Sequence, residues 1–165
     1  SKAEAVIEDL YQITEYIKER FPNKKIILFG HSMGSMIVRK YIAKYDDKID
    51  GLIVCGSPSE NKAAKLGLVL IKIAELFKGE KYRSKTLKKM MFGGFGKKNE
   101  MTNSWICTNK EVVEKYNEDE FCIYDYTLNG LENIVRLMID IYNPKIYQKN
   151  KISFFLLEQI VHNVI

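Results

Sequence analysis

The stretch Lys25-Ile26-Ile27-Leu28-Phe29-Gly30-His31-Ser32-Met33-Gly34 decides how this chain folds. Lys25 to Phe29 carries a short unbroken apolar run rich in β-branched residues, the pattern of a strand buried on both faces of a parallel sheet. A glycine follows at once. From Met33 to Tyr45 the apolar residues Met36, Ile37, Tyr41 and Ile42 recur at helical spacing, while Arg39, Lys40 and Lys44 are free to face water. A second buried strand is expected at Gly51-Leu52-Ile53-Val54-Cys55, closed by Gly56-Ser57-Pro58. Parallel strands need a helical crossover, so strand, helix and strand with short links predict an α/β fold.

Upstream, Val6, Leu10, Ile13 and Ile17 recur every three to four positions between Ala3 and Arg20, with Glu4, Glu8, Lys18 and Glu19 on other faces. That spacing predicts an amphipathic helix, ended by Phe21-Pro22-Asn23. Downstream of Pro58 the alternation stops. Helices are expected at Lys62 to Lys78, Lys110 to Tyr116 and Leu128 to Tyr142, with a flexible break at Gly93-Gly94-Phe95-Gly96. Strand character returns only at Ile152 to Leu157. The expected organisation is a core portion over residues 1–59, a helical insertion over 60–150 and a returning core strand with a tail over 151–165.

The chain has 165 residues, 46% of them apolar, which is enough for one domain with a real core and excludes a disordered or fibrous class. The charge-free apolar stretch Leu66 to Ile71 is far shorter than the roughly 20 residues that cross a bilayer, and Ser1-Lys2-Ala3-Glu4 is no signal-peptide start. Cys55, Cys107 and Cys122 stand far apart with no histidine close by. This argues for reduced, buried thiols in a cytoplasmic protein, without a zinc site or a disulfide framework. A formal charge of +5 is too small an excess to imply nucleic-acid binding.

Gly30-His31-Ser32-Met33-Gly34 fits G-x-S-x-G and lies between a predicted strand and a predicted helix, where that pattern has a mechanical meaning. The glycines make room for a sharp turn that holds Ser32 in a strained conformation with its hydroxyl exposed. The helix start then aims N–H groups and the positive end of its dipole at the serine, with Met33 N–H as an oxyanion donor. His31 adjoins Ser32, but neighbours on a sharp turn point apart, so it is expected to pack or hydrogen-bond beside the turn rather than act as base. Glu158 and His162 follow the last expected strand and read as ordinary polar tail residues. No metal ligand set and no cofactor is implied, and the acid and base of a triad are not identifiable.

The run from Lys25 through Met36, together with Asp50-Gly51-Leu52-Ile53-Val54-Cys55-Gly56-Ser57, resembles the serine hydrolases of the α/β-hydrolase fold. The resemblance is to the monoacylglycerol lipase and lysophospholipase branch, also described as serine aminopeptidase-like. The helical block is similar to the lid of bacterial lysophospholipase-like members at Lys81-Tyr82-Arg83-Ser84 and from Trp105-Ile106 through Val112, Tyr116, Asp119 and Cys122. The likeness runs to about Lys151. It implies a partial α/β-hydrolase fold of about three parallel strands with flanking helices and a helical lid, Ser32 as nucleophile and Met33 N–H as half of the oxyanion hole.

Three departures from the family pattern bear on activity. Family members begin with further strands and a His-Gly loop that supplies a second oxyanion donor. They carry the triad aspartate where Leu157-Glu158-Gln159-Ile160 stands here, and they place the triad histidine beyond another strand and helix. The expectation is therefore a fragment of a truncated, frameshifted or incompletely read gene, with little or no turnover.

The implied substrate is a small acyl ester or lysophospholipid. Between Asn61 and Glu100 stand eleven basic residues against three acids, beside an apolar stripe of Leu66, Val69, Ile73, Leu76 and Phe77. Such a stripe is ordinarily core, and a lysine-rich face is ordinarily solvated. As a surface it would instead give the lid a weak peripheral contact with anionic membranes. The competing reading of the whole chain is a non-catalytic remnant that binds a ligand or a partner through its open sheet edges.

Overall fold

The computed structural model of the chain describes residues 2–92, 101–104, 106–143 and 154–157. It divides into two compact units, one built from the described residues of 1–68 and 133–160 and the other from those of 69–132. The first unit opens with helix α1 (Lys2–Arg20), followed by β1 (Ile27–His31), α2 (Met33–Tyr45), a single 3-10 turn at Asp46–Lys48 and β2 (Gly51–Cys55). Strand β3 (Phe154–Leu157) pairs with the other side of β2, so the parallel order is β1-β2-β3. The registers set Ile27 opposite Gly51, His31 opposite Cys55 and Leu52 opposite Phe154.

The core of this unit is Ile7 from α1, Val38, Tyr41 and Ile42 from α2, and Ile49, Leu52 and Val54 at β2. Helix α1 meets it with a different face from the one its Val6–Ile13–Ile17 spacing predicts. Ala3, Ile7 and Thr14 are buried, whereas Val6, Ile13 and Ile17 are exposed. Two apolar stripes share this helix, and spacing alone cannot rank them. The packed one contains Thr14, whose hydroxyl is satisfied locally by donating to the Leu10 carbonyl at 2.8 Å.

Strand β1 also corrects its expectation of burial on both faces. Among the described residues it lies at the edge of the sheet with α2 against one face, and Ile27 and Phe29 on its other face are 62% and 59% exposed. Inner strand β2 is nearly continuous core, as a parallel strand flanked on both sides should be.

Arg39 and Lys40, expected to face water, are half-buried ties within the first unit. Arg39 donates to Ser57 Oγ and to the Ile141 carbonyl, both at 3.0 Å, and its guanidinium lies 4.8 Å from the centre of the Tyr142 ring. A cation on the last carbonyls of a helix complements the helix dipole. Lys40 binds Asp140 at 2.5 Å and Glu4 at 3.3 Å. Burial works to lower the Lys40 pKa, but these two carboxylates outweigh it and hold the ammonium above its ordinary range.

The second unit contains most of α3 (Ala64–Lys78), together with α4 (Lys85–Phe92), α5 (Lys110–Glu118) and the start of α6 (Leu128–Ile141). Ile71, Val113, Leu128 and Leu131 are its buried apolar side chains. Lys72 is held between Glu75 at 2.9 Å and Glu132 at 2.7 Å, and Lys88 binds Asp125 at 2.5 Å. Asn109 caps α5 by accepting from Glu111 N–H.

The apolar stripe of α3 is not core. Ile71 and Ala64 occupy the packed face, and Leu66, Val69, Ile73, Leu76 and Phe77 are all exposed. The cysteines are free and half-buried rather than buried. The Gly93–Gly96 break, Trp105, Glu158 and His162 lie outside the described residues, as do the first two residues of the expected last strand.

Candidate active site

The turn between β1 and α2 is built by packing as much as by sequence motif. Gly30 is the buried residue of β1, and a Cβ there would stand 2.5 Å from the Gly34 carbonyl oxygen and 2.5 Å from Val38 Cγ2. Only a glycine lets the strand approach the first turns of α2 so closely. Gly34 is different: it is helical, and a Cβ there would meet nothing within 4 Å. The expectation that both glycines make room for the turn is thus met by the first alone.

Ser32 occupies the strained position that this close approach requires. Its backbone lies at φ 53°, ψ −117°, a region that side-chain-bearing residues rarely adopt. Three hydrogen bonds hold it there. Ser32 N–H donates to the Cys55 carbonyl at 3.0 Å, Ser35 N–H donates to the Ser32 carbonyl at 3.0 Å, and the Ser35 hydroxyl donates to that same carbonyl.

Ser35 is fully buried, and its role was not anticipated from the sequence. The signal available was a second serine three residues into the helix, at the spacing where a hydroxyl bonds back to a preceding carbonyl.

Ser32 itself is exposed, and although it stands at the helix N-cap its side chain caps nothing. The hydroxyl is left free of any structural duty among the described residues. Met33 N–H, the first amide of α2, takes part in none of the turn's hydrogen bonds, and no acidic side chain occupies the first helical turn. An unpaired amide and an uncompensated dipole end therefore sit beside an exposed hydroxyl, an arrangement suited to a developing negative oxygen.

His31 ends β1 opposite Cys55, and its ring lies against Gly56: a Cβ on Gly56 would be 3.2 Å from His31 Nε2. Gly56 has φ 57°, so the chain leaves β2 through a conformation suited to glycine and passes close beside the exposed His31. Among the described residues no other histidine is present, and none of their His, Cys, Asp and Glu groups is arranged to hold a metal ion. No described helix is long and apolar enough to cross a membrane.

Comparison with known proteins places this turn in context. The profile of the family described as "Serine aminopeptidase, S33" matches residues 1–157. No curated protein sequence matches the chain. Among solved structures, a highly thermostable carboxyl esterase from Bacillus coagulans, in complex with glycerol, superposes with a TM-score of 0.74 at 18% identity, over 93% of this chain and 62% of its own. A lipase in open form gives 0.79 at 23% identity, over 93% of this chain and 52% of its own. A monoacylglycerol lipase from Paleococcus ferrophilus gives 0.63 at 20% identity, over 94% and 53%. At these identities the superpositions establish the fold, an α/β-hydrolase arrangement of parallel strands and flanking helices. The chain spans between about half and three fifths of the length of these structures.

Proposed function

We propose, from the premise that the chain belongs to the serine aminopeptidase S33 family of α/β-hydrolases, that Ser32 is the nucleophile of a carboxylic-ester hydrolase. The observation that carries this reading is the exposed, uncommitted Ser32 hydroxyl on a backbone held at φ 53° between a strand and a helix start. In the reaction, Ser32 Oγ forms a bond to the ester carbonyl carbon and its proton passes to a base. The carbonyl oxygen takes up the negative charge beside Met33 N–H. Collapse expels the alcohol, which recovers the proton, and water then hydrolyses the acyl-enzyme.

His31 is turned toward Gly56 and is not the base in this reading. The substrate class is a small acyl ester of the lysophospholipid or monoacylglycerol kind, with the helical block after Pro58 acting as a lid over the acyl chain. Without an identified base the expected turnover is small, because oxyanion stabilisation and binding alone leave only a residue of catalysis.

Labelling by a fluorophosphonate probe tests the assignment. Slow labelling is expected in the natural chain and none in Ser32→Ala. Equal labelling of the two removes Ser32 from the chemistry, and labelling at the rate of a complete serine hydrolase removes the expectation of weak turnover.

A second reading, a partner-binding module, draws on the exposed Ile27 and Phe29 of edge strand β1. It requires the chain to elute as an assembly in size-exclusion chromatography and to label no faster than Ser32→Ala.

A further inference from the structure

A serine at a helix start ordinarily gives its side chain to the helix, the hydroxyl accepting from the N–H two or three residues on. Ser32 stands at the N-cap of α2 and does not do so. The amide it would take, Ser35 N–H, is donated instead to the Ser32 carbonyl at 3.0 Å. The Ser35 hydroxyl donates to the same carbonyl oxygen. The usual cap is thus reversed: the third residue of the helix reaches back to the backbone of the cap residue, and the cap hydroxyl is left over. Ser35 lies one position beyond the G-x-S-x-G run, so the motif itself does not call for this side chain.

Both bonds act on a rigid unit. The Ser32–Met33 peptide is planar and trans, so its carbonyl and its N–H point in opposite directions and turn together. Two donors from Ser35 draw the carbonyl into the first turn of α2, and the Met33 N–H at the other end of the plane is thereby aimed away from the helix body. On its Ser32 side the plane turns through ψ, held at −117° with φ at 53°. A residue kept in that region relaxes once its tethers loosen. Ser35 is fully buried, and the space a lost hydroxyl would leave is too small for a water to take its place.

We propose that Ser35 is a positioning residue for the chemistry at Ser32. Its hydroxyl fixes the Ser32–Met33 peptide so that Met33 N–H faces the developing oxyanion, and it keeps the Ser32 hydroxyl out of the helix cap. The proposal rests on Ser32 being the nucleophile. Without the Ser35 hydroxyl, Ser32 relaxes toward an ordinary N-cap, its Oγ accepts from the N–H of residue 35, and the turning plane carries Met33 N–H off its line.

Ser35→Ala tests this in the full chain by three measurements. Fluorophosphonate labelling should slow at least about tenfold, because a misaimed donor loses much of the roughly hundredfold that one oxyanion donor contributes. In a weakly aligned, isotope-labelled sample, the N–H dipolar coupling of Met33 should depart from its natural value while those of Val38 and Tyr41, further along α2, keep theirs. The melting temperature should not fall with the reactivity, since the new cap offsets the lost bond. Ser35→Thr retains a hydroxyl that can reach the same carbonyl and should restore both the coupling and the labelling. Labelling of Ser35→Ala at the natural rate, an unchanged Met33 coupling, a loss of labelling that tracks a loss of fold, or a folded Ser35→Thr that behaves as Ser35→Ala would each overturn the proposal. Equal labelling of the natural chain and Ser32→Ala sinks the hydrolase reading instead, and the Met33 coupling then still decides whether Ser35 holds the peptide.

Discussion

Replacing Gly30 and Gly34 in turn by alanine should move stability in opposite directions, although both belong to the same five-residue motif. A Cβ at position 30 would stand 2.5 Å from the Gly34 carbonyl oxygen and 2.5 Å from Val38 Cγ2, where ordinary contact begins at 3.4 Å. Strand and helix must therefore separate by about 0.9 Å, or α2 must give way at its first turn, where one clashing atom is backbone and has no rotamer to change. Overpacking of this kind costs about 1–3 kcal/mol, and a double clash that includes backbone belongs at the upper end. About 3 kcal/mol is about 6–12 °C in Tm for a domain of this size.

At position 34 the new methyl group meets nothing within 4 Å, and the residue is helical. Alanine there should be neutral or stabilise by up to about 1 kcal/mol. Thermal melts followed by far-ultraviolet circular dichroism, with urea titrations to check the slopes, measure both. Gly30→Ala melting with the natural chain, or the two variants falling together, would refute the view that strand–helix proximity at Gly30 shapes the turn.

Other consequences are as specific. Tyr41 is fully buried, and its hydroxyl makes no well-formed hydrogen bond among the described residues. Tyr41→Phe should therefore raise stability by about 1 kcal/mol in urea unfolding, by relieving an unsatisfied hydroxyl. Glu8 is held below its ordinary carboxylate range by hydrogen bonds from Lys44 and Tyr45. A depressed folded pKa contributes stability that is full above the unfolded value near 4.5 and is lost as pH falls through the folded one, so Glu8→Gln should flatten the acid limb of a stability–pH curve below about pH 5. Lys40→Met leaves Asp140 and Glu4 without their shared cation and should cost about 1 kcal/mol at neutral pH.

Much of the first unit was legible in the sequence. The β2 limits at Gly51 and Cys55 and the α2 limits at Met33 and Tyr45 agree with the pattern because each is bounded by a strong local signal, a glycine or the serine turn. What periodicity could not supply was sidedness. Helices α1 and α3 each carry two apolar faces, and which one packs depends on partners distant in sequence.

Strand β1 reads as fully buried because its composition is that of an inner strand, yet it stands at the edge of the described sheet. Helix α4 was missed: with three lysines and two methionines beside a single leucine, Lys85–Phe92 carries too short a stripe to register. At the site, the turn was visible in the motif, while the Ser35 bonds and the approach of Gly56 to His31 emerged only once the chain was folded.

Every described tether of the strained turn, from the Gly30 approach to the Ser35 bonds and the Cys55 carbonyl, comes from residues 30–55. The hydroxyl's aim is thus inherited from one short stretch of chain and owes nothing to the long helical block that follows. Such an arrangement lets a lineage rewrite its choice of molecules through that block, by drift or insertion, while the reactive corner passes unchanged from one descendant to the next.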